Sequence, residues 1–414
     1  MKINFIKFPP NINFNKNKNF ALKQVKDSVC FRGAKFDKNV LVSKKIIDEN
    51  QDMNSFFDDV TNRIFKGNNE EFSKVLKNGE ISLSTSAYSD LKHPYSAIGL
   101  EFNKGISDAS CLRTIEQYVK DGIGFGINFS DFDNPKDKIL KINDYLKYRE
   151  QNVKRPPAAI GILDAEHPKV LEFIGIKDSA DYSNWCFDLS LVLNDDFMKR
   201  LENNDPEAKK IYGKLLESML KSSEPGVIFS NNRNYLSDCC AAVPLKPDEK
   251  LTLGQINLSE FCSDGKVDYE KLKKDADILS QGMKKLDSNS YIGVLGYQEL
   301  LNKLNITYGT KDAIEIAEKT MQTIQNEAHK HSIKTAISPT GNVSRLLKTT
   351  PSIEPDKSDY KAEIKTMSAF QKYLDGSISK TILLDKNAST DDIDKIIKMA
   401  YKEGLKGITV HLAR

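Results

Sequence analysis

Apolar and polar positions divide this chain into stretches with different periods. From residue 42 onward the pattern turns helical. The run NSFFDDVTNRIFKGNNEEFSKVLKNGE sets Phe56, Phe57, Val60, Ile64 and Phe65 three and four residues apart, on one face of a helix. Such a stripe of aromatics reads first as core packing. Beyond residue 95 short apolar runs alternate with amphipathic segments. Residues 122–130, 158–164, 187–193, 226–230, 334–339, 379–384 and 407–412 predict buried strands. Residues 115–122, 195–202, 207–222, 269–286, 310–330 and 390–404 predict helices. Strands this apolar, separated by helices, imply an α/β fold whose sheet is covered on both faces. Residues 1–45 lack either period and are rich in Asn, Lys and Phe (INFNKNKNF), which predicts a flexible basic tail. Residues 46–414 read as one domain, with 46–94 a helical lead-in, since no linker and no internal repeat interrupts them.

Composition narrows the partners. Of 414 residues 39% are apolar and 29% charged, yet the net charge is only +3. That balance does not predict a nucleic-acid partner. No apolar run approaches the roughly 18 residues of a membrane span, and MKINFIKFPP lacks the apolar core of about 7–15 residues in a secretory leader. The expectation is a soluble, cytoplasmic protein without a membrane partner. The cysteines, Cys30, Cys111, Cys186, Cys239, Cys240 and Cys262, show no C-x-x-C spacing, and the histidines are scattered. Neither a disulfide framework nor a protein-held metal is expected.

Several stretches carry a more specific signal. Asp121–Ser130 reads DGIGFGINFS, 155–174 reads RPPAAIGILDAEHPKVLEFI, and Phe187–Met198 reads FDLSLVLNDDFM. Pro244–Phe261 reads PLKPDEKLTLGQINLSEF, and 338–355 reads SPTGNVSRLLKTTPSIEP. Residues 367–410 run from MSAFQKYLDGSISKTILL to GLKGITV. In this order they resemble the large subunits of ribonucleotide reductases, nearest the adenosylcobalamin-dependent branch, over residues 75–412. The resemblance implies a ten-stranded α/β barrel of two five-stranded halves, with a finger loop that lifts a catalytic cysteine to its centre. It also implies a ribonucleotide substrate, reduced to the deoxyribonucleotide by thiyl radical chemistry. The cofactor implied is adenosylcobalamin, whose own chemistry supplies the radical. No small radical-generating subunit is expected, and a homodimer is left open.

The family's finger-loop motif N-P-C-G-E falls on Asp238, Cys239, Cys240, Ala241 and Ala242, so the resemblance places the radical at Cys240. A free cysteine is also an ordinary small core residue. Pro339-Thr340-Gly341-Asn342-Val343-Ser344 resembles the family's phosphate turn, P-T-G-T-I-S. A helix start there offers unpaired N–H groups and a positive dipole end to an anion; the alternative is a plain N-cap. Thr85 and Ser86 resemble a second phosphate-side element. Gly124 and Gly126, with Gly122, allow close backbone approach to a ligand or relieve crowding in a strand. Asp188 stands where a polar residue of the barrel interior is expected, or is a paired core acid.

The departures from the family are chemical. Its general base, a glutamate, is Ala242 here, and its asparagine is Asp238, which keeps an acceptor and loses the amide donor. The register places the family's two reducing cysteines at Ile98 and Leu251, both redox-silent. Three readings follow: a divergent reductase with an unusual reductant, a catalytically degenerate paralogue that binds nucleotide or regulates, and a barrel turned to another substrate.

Overall fold

The computed structural model describes residues 36–150, 158–178 and 185–412. Most of the segment read as a tail, and Arg155–Pro157 of the second family-like stretch, lie outside these residues. The described chain is already ordered at Phe36, whose ring meets Phe57 at 5.1 Å. The short helix Asn39–Ser43, inside the segment read as tail, buries Val40 and Leu41.

The strands are β1 (Ile81–Leu83), β2 (Ala97–Leu100), β3 (Gly124–Asn128), β4 (Ala159–Asp164), β5 (Phe187–Leu193), β6 (Gly226–Phe229), β7 (Lys250–Asn257), β8 (Cys262–Ser263), β9 (Lys266–Val267), β10 (Ser290–Leu295), β11 (Lys334–Thr335), β12 (Thr381–Leu384) and β13 (Gly407–Leu412). β2 to β6 run parallel in chain order. β7, β10 and β11 form a second parallel set, as do β12 and β13. The two sets meet at antiparallel seams, β2 against β7 and β6 against β13. The ring closes between β11 and β12 through a parallel bridge of Ile337 and Ile378. There Ile337 N–H donates to Ser377 O (3.0 Å) and Ser379 N–H to Ile337 O (2.9 Å). Ten strands in two halves of five thus make the α/β barrel that the sequence resembles, with β1 added on the free part of β7's edge.

Alternation along the strands explains their unbroken apolarity. Phe125, Ile127, Leu163, Leu191, Ile292, Val294, Ile408 and Val410 point outward into the core shared with the helices. The opposite faces supply Ala97, Leu251 and Tyr291 to one interior cluster and Ile160, Ile162, Val192 and Ile228 to another. Both faces are covered, so both are apolar. Helix starts are set by short polar caps: Asp205 before Pro206, Asp268 before Tyr269, and a reciprocal Ser389–Asp392 box. The apolar run at 54–80 becomes two helices, Met53–Phe65 and Glu70–Lys77. Lys66 turns left-handed (φ 54°) and Asn69 caps the second helix.

Candidate active site

Between β6 and β7 the chain enters the barrel as a narrow loop. Ser237 and Pro244 pair antiparallel at its neck. Asp238 N–H donates to Val243 O (3.0 Å), and Ala241 closes the tip with a left-handed φ of 59°. Its two limbs lie on two strands. The rising limb runs antiparallel to the inner face of β3, where Asn128 donates its amide to Arg233 O (3.1 Å) and Tyr235 O (3.0 Å). A Cβ at Gly126 would collide with Ser237 O, and one at Gly124 would sit 2.6 Å from Cys239 Sγ. The falling limb crosses β2, where a Cβ at Gly99 would meet Leu245 Cβ at 3.0 Å. The glycines Gly124 and Gly126, read as a place for close approach, therefore admit the protein's own loop rather than a ligand directly.

The tip rests against the second half of the barrel. Ser377 N–H donates to Ala242 O (2.7 Å), and Gly376 leaves the space that this carbonyl occupies. Lys406 holds that turn with hydrogen bonds to the carbonyls of Leu374 (3.3 Å), Asp375 (2.8 Å) and Gly376 (3.0 Å). Burial pushes the Lys406 amine below its ordinary pKa. Neither Asn128 nor Lys406 stood out in the sequence. Nothing short of the fold brings Lys406 to residues 374–376.

Asp238 organises the tip. Its Oδ1 accepts from Ala242 N–H (2.8 Å) and Val243 N–H (3.0 Å), while its Oδ2 accepts from the Cys240 thiol at 2.8 Å. The carboxyl is buried, and loss of solvent raises its pKa against the pull of these donors. Cys240 is half-buried and packs against the apolar cluster of Ala97, Ala242, Leu251 and Tyr291. A hydrogen bond with Cys239, burial and the Asp238 charge all push the Cys240 thiol well up. Cys240 and Asp238, expected as neighbours in the chemistry, are in contact.

Of Ile98 and Leu251, the two redox-silent positions, Leu251 alone faces the loop. Ile98 points outward into the helix-covered core, because β2 turns its even residues away from the loop. The residue opposite Leu251 in the ladder is Ala97, and these two pack with Cys239, Cys240, Ala242, Val243, Tyr291 and Ala336. A one-residue shift in a strand exchanges its faces. The residues of β2 and β7 that face the loop tip are therefore Ala97 and Leu251, both redox-silent.

Beyond β11 the chain forms the turn read as phosphate-binding. Thr340 is left-handed (φ 51°) and opens the helix Gly341–Leu347 without capping it through its side chain. Its Oγ1 instead accepts from Ser352 N–H (2.9 Å). The plain side-chain cap is thus not what Thr340 provides. Asn342 binds Arg345 (2.9 Å), Val343 and Ser344 are buried, and a Cβ at Gly341 would meet nothing within 4 Å. Val343 packs on Leu295, at the end of the same inner face of β10 that sets Tyr291 against the loop tip. At about 3.3 Å per residue, the loop and turn contacts lie roughly 13 Å apart along β10.

Thr85 and Ser86 begin the short helix Thr85–Ser89, but its cap is Ser84, which accepts from Ala87 N–H and from Ser96 Oγ (3.1 Å). Asp188 shares its face of β5 with Ser190 and Val192 and pairs in register with Ile160. Its side chain is 57% exposed and ion-paired at 4.0 Å with the buried Lys177 ammonium, so it is an open polar position that keeps a partner.

Among the described residues no cluster of three His, Cys, Asp or Glu side chains could hold a metal. No helix there is long and apolar enough to cross a membrane.

Known proteins resemble this chain in sequence and in fold. A sequence profile of the ribonucleotide reductase barrel domain matches residues 105–207, 204–338 and 357–411. The vitamin B12-dependent ribonucleoside-diphosphate reductase of Thermoplasma acidophilum is 26% identical, over 72% of this chain and 58% of the relative. The enzyme of the same description from Mycobacterium tuberculosis is 23% identical, over 62% of this chain and 56% of the relative. The chain thus spans a little over half the length of these relatives. Among solved structures, the Actinobacillus ureae class Id ribonucleotide reductase alpha subunit superposes with a TM-score of 0.73. It covers 91% of this chain and 96% of its own at 17% identity, which speaks to the fold alone.

Proposed function

Since the chain belongs to the ribonucleotide reductase barrel family, we propose that it reduces a ribonucleotide to the deoxyribonucleotide through a thiyl radical on Cys240. One observation carries the reading: half-buried Cys240 stands at the tip of an interior loop, its thiol in contact with the Asp238 carboxylate. The turn Thr340–Ser344 would take the substrate's phosphate. Gly341 faces open space, and the first amides of its helix have no side-chain cap. Thr85 and Ser86 would flank it. Loop and turn meet one face of β10, so sugar and phosphate of one nucleotide would lie along that face.

Adenosylcobalamin is the cofactor proposed for this site. It brings its own metal and ring ligands, so it would require no metal cluster of the protein, and it would act on the thiol of the half-buried Cys240. When bound, the cofactor supplies the radical that withdraws the hydrogen atom of the Cys240 thiol. The chain's part is to hold that sulfur in place and keep Asp238 beside it. The protein is read as a soluble enzyme of the cytoplasm, without a small radical-generating partner. A homodimer is compatible with the family.

The assay incubates the protein with adenosylcobalamin, each ribonucleoside di- and triphosphate, and either dithiothreitol or formate. Deoxynucleotide should form and should fall to background in Cys240→Ala. No product above that control overturns the reading. The apolar packing of Ala97, Leu251 and Ala242 favours one alternative, a catalytically silent barrel that binds nucleotide. It would show as thermal stabilisation by nucleotide without turnover.

A further inference from the structure

Building on the proposed reductase reading, we propose that Asp238 is the proton acceptor of this site, replacing the glutamate that the family places two residues after its cysteine. At position 242 the side chain is a methyl with no exposure, packed with Ala97, Leu251, Tyr291 and Ala336. Gly376 and Ser377 close on the Ala242 carbonyl. A carboxylate there would be buried among apolar groups, at a cost nothing nearby offsets. Among the described residues the one acid in direct contact with the cysteine, Asp238, lies two residues before it.

The geometry divides the labour of the two Asp238 oxygens. Oδ1 is occupied by the Ala242 and Val243 amides, a task the amide oxygen of an asparagine would do equally well. Oδ2 is where an asparagine would carry its NH2 group, and here it accepts from Cys240 Sγ at 2.8 Å. Exchanging Asn for Asp therefore leaves the loop's scaffold intact and turns a donor at the sulfur into an acceptor. A substrate carbon whose hydrogen meets Sγ carries its hydroxyl one bond away, within reach of the oxygen already beside the sulfur.

The step balances. The hydrogen atom passes from the substrate C–H to the Cys240 thiyl, forming S–H. The hydroxyl proton on that carbon passes to Asp238 Oδ2, leaving the radical centre bearing a negatively charged oxygen and the acid neutral. The thiyl comes from the radical source of the proposed activity. The two electrons of net reduction come from an external dithiol or formate. Burial raises the Asp238 pKa, which favours proton uptake. The ionisable groups around the pair are Cys239 and Tyr235 on the loop and Tyr291 on β10. Glu249 and Asp375 act on Tyr291, and Lys334 stacks on it at 5.3 Å.

Two readouts test this, using Asp238→Asn and Asp238→Ser in the full chain. The first follows alkylation of Cys240 by iodoacetamide against pH, resolved by site with mass spectrometry. It needs neither cofactor nor turnover. Removing the carboxylate should lower the midpoint by about one unit or more and speed alkylation at pH 8 about tenfold. The second is turnover, where Asp238→Asn should lose about 10²–10⁴ in kcat with KM little changed. An unmoved alkylation profile overturns the proposal, as does an active wild type whose Asp238→Asn variant keeps its kcat. A moved profile in a protein that makes no deoxynucleotide supports the proton pairing and overturns the reductase reading instead.

Discussion

The finger-loop tip and the turn at Thr340–Ser344 both lean on β10, but their surroundings differ. At the turn the space beside Gly341 is open. At the tip the side chains packed around Cys240 are apolar: Ala242, Ala97 and Leu251, with Tyr291 and Ala336. Binding a phosphate draws on backbone N–H groups, which substitution does not remove. Moving protons and electrons draws on side chains, which substitution does remove. On the proposed reading, the chemistry has changed at one place while recognition persists at the other.

The comparison can be broken most strongly at position 242. Restoring the family's acid with Ala242→Glu should cost about 3–5 kcal/mol at neutral pH, since the charge would be buried without a partner. Urea unfolding measures it, and the deficit should shrink as pH falls and the new acid is protonated. A stable Ala242→Glu protein would show that the pocket for the base still exists.

The glycines give the next largest contrast. In Gly126→Ala the new methyl meets Ser237 O, and about 1–3 kcal/mol of stability should be lost, with faster alkylation of Cys240 as the loop loosens. In Gly341→Ala the methyl meets nothing, and stability should stay within about 0.5 kcal/mol. The same methyl would occupy the space assigned to phosphate, so nucleotide-induced stabilisation should drop. An unchanged nucleotide shift would detach the turn from phosphate binding.

The smallest expected effect is a pH dependence. Burial raises the folded-state pKa of Asp238 above its unfolded value. The stability this group contributes is therefore complete below the unfolded value, near 3.9, and is lost as pH rises through the folded one. Asp238→Asn has no such loss. Its Tm relative to wild type should rise from pH 4 towards pH 8, and a flat difference would place the carboxyl in a solvated site.

Much of the barrel was legible in the chain. The predicted helices 195–202 and 269–286 coincide with Asp195–Glu202 and Tyr269–Leu286, because caps and a 3.6-residue period are local properties. The strands at 187–193 and 407–412 were equally plain. Periodicity did not single out β2, β7 and β10. β2 has four residues, and β7 and β10 each carry a glycine amid their apolar residues, so none makes a run that stands out alone. Resemblance, not period, located the loop and the turn.

The sequence by itself determined the α/β class, the family, and the identities that matter at the loop: Cys240, Asp238 and Ala242 in fixed spacing. Only the tertiary structure decided which faces meet. It turned Ala97, and not Ile98, towards the loop, because strand register is set by pairing with β7 and not by the order of residues. It assigned Gly124 and Gly126 to the loop rather than to a ligand, and it brought Lys406 to the turn behind the tip. It also aimed one oxygen of Asp238 at two amides and the other at a sulfur. A side chain's identity is local, whereas its partners are chosen by chain segments that the sequence holds far apart.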